Sequence, residues 1–117
     1  MDRFDHENLD VYQVAIEFLA LADSIAEELP RGRAYLADQL RRAALSIPLN
    51  TAEGAGEFAK AEKVRFYRMA KRSATESAAL LDGCRTLQLS QEPKLAKGRS
   101  LLLRIVSMLV RMCRGPS

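Results

Sequence analysis

The segment Ser46-Ile47-Pro48-Leu49-Asn50-Thr51-Ala52-Glu53-Gly54-Ala55-Gly56 constrains the fold more than any other part of this chain. It continues a helical pattern, yet it holds a proline, an asparagine, a carboxylate and two glycines. Pro and Gly are the poorest helix formers and Asn favours caps and turns, so helix propensity alone does not account for these residues. The stripe Leu36, Leu40, Ala43, Ile47 runs on through Asn50 or Thr51 to Gly54 at intervals of three or four, the period of a helix with one buried face. Inside that stripe Pro48 removes one backbone hydrogen bond and crowds the carbonyl a turn back, which predicts a kinked helix. Gly54 and Gly56 end it, with Gly56 expected as a left-handed C-cap.

Three other stretches share this period. The first reads Leu9, Tyr12, Ile16, Leu19, Ala20, Ala22, Ile25, Ala26 and Leu29, with Asp10 as the expected N-cap and Pro30 and Gly32 as the stop. The third starts near Lys60 and reads Phe66, Ala70, Ser73, Ser77, Leu80, Cys84 and Leu87. After a break from Ser90 to Pro93, the fourth reads Leu95, Leu101, Leu102, Ile105, Leu109 and Met112 and ends at Gly115-Pro116. Ser90 or Gln91 is placed to open it. Helices of roughly 20–30 residues span roughly 30–45 Å, and short connections make neighbours antiparallel. The expected fold is an all-α, up-down-up-down antiparallel four-helix bundle with a kinked second helix. The 117 residues read as one domain over 1–117, long enough to bury a core without metal or disulfide support.

Several function classes are disfavoured by what the chain lacks. His6 is the sole histidine, so neither the Glu-x-x-His pairs of di-iron bundles nor a zinc-protease motif is present. No phosphate-binding glycine loop follows a strand, and no nucleophile elbow occurs. An enzyme is not expected, nor a metal or cofactor. Cys84 and Cys113 sit among apolar residues without a CxxC motif and read as free thiols, a disulfide being the lesser alternative. No apolar run reaches the roughly 20 residues of a membrane span. The acidic, polar start does not resemble a signal peptide, so a cytoplasmic protein without membrane association is expected.

Charge is distributed unevenly. Residues 1–29 carry eight acidic side chains against one basic, whereas residues 90–117 carry six basic against one acidic. Such asymmetry suits an anionic partner such as nucleic acid, or subunits that meet acidic face to basic face. Polar residues also fall on or beside the apolar stripes. A tight antiparallel hairpin between the second and third helices sets Glu53 near Val64 and Arg65, Asn50 near Tyr67, and Arg41 or Arg42 near Glu76. The expected network is Arg41, Arg42, Asn50, Glu53, Arg65, Ser73 and Glu76. In it a partly buried Arg–Glu76 pair crosses the helix interface and Asn50 bonds into the gap left by Pro48, because an unpaired buried carboxylate is costly. Gly54-Ala55-Gly56 beside Lys60 and Lys63 admits a phosphate cradle as a weaker alternative to a plain helix end.

A set of residues runs through the chain: Phe4, Leu9-Asp10-Val11-Tyr12 and Gln39-Leu40-Arg41-Arg42-Ala43 come first. They continue through Ser46-Ile47-Pro48, Asn50, Ala52-Glu53-Gly54 and Gly56 to Phe58, Lys60, Arg65-Phe66-Tyr67, Ser73 and Glu76. By these residues the chain resembles, over nearly its whole length, the bacterial four-helix-bundle family named after 23S rRNA-intervening sequence proteins. The sequence departs from the family pattern at Glu57, where a basic residue is usual, at Arg72, where glycine is usual, and at Thr51, where isoleucine is usual. Glu57 weakens any anion site at the turn. The resemblance implies a ring, typically a homopentamer, with no enzymatic activity. It also brings the analogy of a related basic pentamer, the accessory protein of diversity-generating retroelements, which engages a reverse transcriptase and nucleic acid.

Two functions follow as expectations. In the first, a homo-oligomeric scaffold binds RNA or DNA through repeated basic faces. The candidate contacts are Lys60, Lys63, Arg68, Lys71 and Arg72 on the third helix, with Lys94, Lys97, Arg99, Arg104, Arg111 and Arg114 on the fourth. In the second, the protein is an adaptor for a protein partner, for instance a reverse transcriptase, presenting Val106, Val110 and Met112. The bland alternative to both is a solvated helix face or a set of intersubunit salt bridges.

Overall fold

Each apolar stretch becomes a helix, and the four helices bury their stripes against one another. The computed structural model describes residues 3–115, in which α1 spans Asp10–Glu27, α2 Ala34–Ala55, α3 Lys60–Thr86 and α4 Glu92–Arg114. One 3₁₀ turn, Asp5–Asn8, precedes α1, and another, Arg31–Arg33, leads into α2. No strand occurs among the described residues. Pro116, expected with Gly115 at the end of the last helix, lies outside them. The chain is therefore an all-α four-helix bundle, measuring 45 × 28 × 22 Å along its principal axes. In it α1 packs on α2 and α4, and α3 packs on α2 and α4, so α1 and α3 stand at opposite corners.

The core is centred on Phe18, Ile25, Leu40, Ile47, Leu95, Leu102, Ile105 and Leu109, all nearly inaccessible to water. Along α2 and α4 the expected stripes are the buried ones. Along α1 the phase differs: Val11, Val14, Ala15 and Phe18 face the core, while Ile16 and Ala20 face outward. Apolar residues spread around much of α1, so several stripes fit its period, and the strip facing both neighbours is settled only by packing. On α3, Tyr67, Ala74 and Leu81 replace Phe66, Ser73 and Leu80 as the innermost residues. Cys84 is a buried free thiol whose pKa burial raises, and Cys113 is half-buried and also free.

The helix ends depart from expectation in two places. Leu9, not Asp10, holds the cap position of α1, and Asp10 is the first helical residue. None of the four α-helices opens with a side-chain cap bond. Asp10, Glu62 and Glu92 instead place a carboxylate in the first turns of α1, α3 and α4, where the helix dipole favours negative charge. Gly56 is right-handed (φ −83°), contrary to the expected left-handed cap. Left-handed geometry closes α3 instead, at Gln88 (φ 57°), with Leu89 N–H donating to Cys84 O at 2.9 Å.

Gly54 has a different task from ending a helix. A Cβ placed there would lie 2.6 Å from Tyr67 Cε1 and 3.2 Å from the Lys63 carbonyl. The missing side chain lets α2 and α3 approach closely where Tyr67 is buried.

Candidate nucleic-acid interface

The two long sides of α3 use their polar residues in opposite ways. Toward α2 they are tied into the bundle. Ser73 Oγ donates to Ser46 Oγ at 3.0 Å, Asn50 Nδ2 donates to the Ser46 carbonyl and hydroxyl at 2.9 Å each, and Ser77 Oγ donates to Ser73 O at 2.9 Å. Thr51, inaccessible to water, donates to Ile47 O at 2.8 Å, so its hydroxyl is satisfied within its own helix. Ser46 is the hub of this seam, a role its sequence position did not single out. The visible signal was its place one turn before Asn50.

Pro48 is buried and α2 runs unbroken through it. The carbonyl deprived of a donor is that of Ala44, four residues back, whereas Asn50 bonds to Ser46. Asn50 therefore joins α2 to Ser73 through Ser46 and does not fill the gap at Pro48. Arg42 Nη2 lies 3.6 Å from Glu76 Oε2, with both side chains substantially exposed (71% and 42%), so this pair crosses the helix interface at the surface and not in a part-buried setting. Arg41 turns away to α1 and bonds Asp23 and Glu27 at 2.9 Å each. The bond to Asp23 chiefly holds its pKa above the usual arginine value. Arg65 stays on its own helix, pairing with Glu62 at 3.1 Å and lying 4.4 Å above the Phe66 ring. Glu53 is exposed and has no side-chain partner among the described residues. The expected seven-residue network is thus dispersed: Asn50 and Ser73 meet through Ser46, Arg42 and Glu76 pair at the surface, and Arg41, Arg65 and Glu53 each lie apart from them.

Four of the expected nucleic-acid contacts serve the fold. Lys63 Nζ donates to the carbonyls of Gly54 and Ala55 at 3.3 and 3.1 Å, adding to the Glu57 N–H bond on Gly54 O and giving Ala55 O a donor at the end of α2. A phosphate cradle at Gly54-Ala55-Gly56 would have to displace that cap. Lys60 Nζ donates to the Arg114 carbonyl at 3.3 Å, fastening the start of α3 to the end of α4. Lys94 bonds Ser24 at 2.7 Å and Glu28 at 2.9 Å, and Lys97 lies 3.8 Å from Glu17. The basic start of α4 therefore neutralises acidic α1.

The other side of α3 is different. Arg68, Lys71, Arg72 and Thr75 line one shallow depression, and Thr75 continues into the groove between α3 and α4 beside Arg99 and Leu103. Leu103 leads in turn to Arg104, Ser107 and Arg111. Arg68, Lys71, Arg72, Arg99 and Arg104 are exposed and form no side-chain hydrogen bond or ion pair among the described residues. Arg111 makes one bond, to Ser107 at 3.3 Å. The carboxylate bordering this band is Glu76, already facing Arg42. A continuous strip of unpaired cations can take up phosphate oxygens without first breaking protein contacts. Arg114 is exposed at the last turn of α4, beyond the strip.

Among the described residues no His, Cys, Asp and Glu group could hold a metal ion, and no helix is long and apolar enough to cross a membrane. No curated protein matches the chain. The profile of the family described as 23S rRNA-intervening sequence protein matches residues 7–111, from the 3₁₀ turn before α1 to the last turns of α4, and the chain belongs to that family.

Proposed function

We propose that this protein is a non-enzymatic, homo-oligomeric scaffold that binds the phosphate backbone of RNA or DNA through the α3–α4 face. The observation that carries this reading is the strip Arg68, Lys71, Arg72, Arg99 and Arg104, whose cations have no partner among the described residues. It narrows the eleven expected contacts to these five, since Lys60, Lys63, Lys94 and Lys97 are engaged within the bundle, Arg111 bonds Ser107 and Arg114 lies beyond the strip. No aromatic residue lines the strip, so backbone contact suits it better than base stacking.

The helices run up and down, each antiparallel to the next. Supporting this, partners on α3 rise in number as those on α2 fall: Gly54 with Lys63, Ser46 with Ser73, Arg42 with Glu76. The copies form a ring, taken as a pentamer from the family. Repetition of the strip around it converts weak single contacts into avidity. Particle mass by light scattering, combined with RNA and DNA titrations over a salt series, tests the reading. An oligomer whose affinity falls steeply with salt is expected. An oligomer that binds neither nucleic acid at low salt would transfer the strip, with its exposed Leu103, to an adaptor for an acidic protein partner.

A further inference from the structure

Phe58 stands fully in water (101% exposed) in the turn between α2 and α3. A turn tip has no internal need of a large apolar ring, because burial against solvent-excluded surface is what such a ring contributes. Glu57 precedes it, giving the tip an apolar point with an acidic flank. A receiving surface exists elsewhere on the same chain. A groove of about 540 Å³ lies where residues of α1, α3 and α4 converge, with Val11, Tyr67, Met108 and Met112 among its lining residues. Methionines adapt readily to an aromatic ring. Lys63 and Arg111 also line it, against the single carboxylate of Asp10.

Glu57 beside Phe58 is opposite in charge to Lys63 and Arg111 of the groove. Phe58 is fully exposed and touches nothing among the described residues, so we take the occupant of the groove to be Phe58 of another copy. Contact between two different patches is heterologous, and it closes into a ring when the rotation between copies permits. We propose that Phe58 of one copy seats in the Tyr67–Met108–Met112 groove of the next copy, with Glu57 meeting Arg111. This contact rests on the oligomeric part of the proposed function.

Light-scattering mass of wild type, Phe58→Ala and Met108→Lys provides the test, with helicity and Tm checking that each variant folds. Phe58 is outside the core, so its removal leaves the bundle intact. Each variant is expected at the single-chain mass of 13.0 kDa at concentrations where wild type is larger. Phe58→Ala retains a groove and Met108→Lys retains a tip, so their mixture forms a particle of two chains. Glu57→Arg and Arg111→Glu each weaken assembly, and combining them in one chain restores it. A Phe58→Ala protein with the wild-type oligomeric mass, or two monomeric variants that fail to pair when mixed, would overturn the contact while leaving the oligomer standing. A monomeric wild type would overturn both.

Discussion

The two sides of α3 carry similar densities of polar residues but differ in whether those residues have partners. On the α2 side, Ser73 and Ser77 bond within the seam and Glu76 faces Arg42. On the outer side, Arg68, Lys71 and Arg72 have none among the described residues. The two sets adjoin, Glu76 standing one turn after Arg72 and lining the same depression, so sequence composition cannot distinguish them. The corner opposite α3 makes the point from the acidic side. Glu17, Asp23 and Glu27 of α1 are matched by Lys97 and Arg41 from the flanking helices. Charge asymmetry along the chain is therefore largely cancelled around α1 and remains uncancelled across α3–α4.

The sharpest way to break this contrast is to neutralise one class of cation at a time. Arg68→Gln, Lys71→Gln and Arg72→Gln together should lower the slope of log affinity against log salt by roughly 2–3, about one for each phosphate left without its cation, with Tm unchanged. Lys94→Gln with Lys97→Gln should do the reverse, leaving the slope alone and lowering Tm slightly. Filter binding and thermal melts on both proteins decide it. Equal slope changes in the two would erase the distinction between paired and unpaired cations.

A smaller effect is expected where α2 and α3 touch. Gly54→Ala forces a methyl group against the buried Tyr67 ring and the Lys63 carbonyl, and overpacking of this kind costs about 1–3 kcal/mol, partly offset by the better helix propensity of alanine. Gly83, where a Cβ would meet nothing within 4 Å, is the control. Gly83→Ala should stabilise by about 0.5–1 kcal/mol in the same urea titration. Next in size, Ser73→Ala should cost about 1 kcal/mol by removing a part-buried interhelical hydrogen bond. Neither seam variant should alter nucleic-acid affinity.

The number of helices, their approximate ends and the α2 and α4 core faces were legible in the sequence because apolar residues there occupy one clear stripe. On α1, apolar residues spread around much of the helix left the phase open, and Val14 and Phe18 could not be separated from Ile16 and Ala20 until two neighbours packed on the helix. The hairpin pairing placed Arg42 beside Glu76 but left open which of two adjacent arginines faced α3. Adjacent helical residues point about 100° apart, so Arg41 reaches α1 instead. Lys63 was legible as a cation and not as a cap, because its carbonyl partners depend on how sharply the chain turns after Gly54.

The smallest predicted effect concerns the far end of the α3–α4 side. Arg85 holds Glu92 through paired bonds of 2.6 and 3.0 Å, joining the last turn of α3 to the first of α4. The bond from Arg85, together with its charge, keeps the Glu92 carboxyl below its ordinary pKa. A carboxyl that binds its proton less tightly when folded adds stability that is fully present above its unfolded pKa and disappears as pH falls through the lowered folded value. Both groups are exposed, so the contribution is small and salt-sensitive. In Tm measurements from neutral to acid pH, wild type should exceed Glu92→Gln by a small margin near neutrality, and the two curves should converge in acid. A gap that persists at the acid end would mean that Glu92 acts through packing or helix capping, leaving the α3–α4 side without a titrating ion pair at that end.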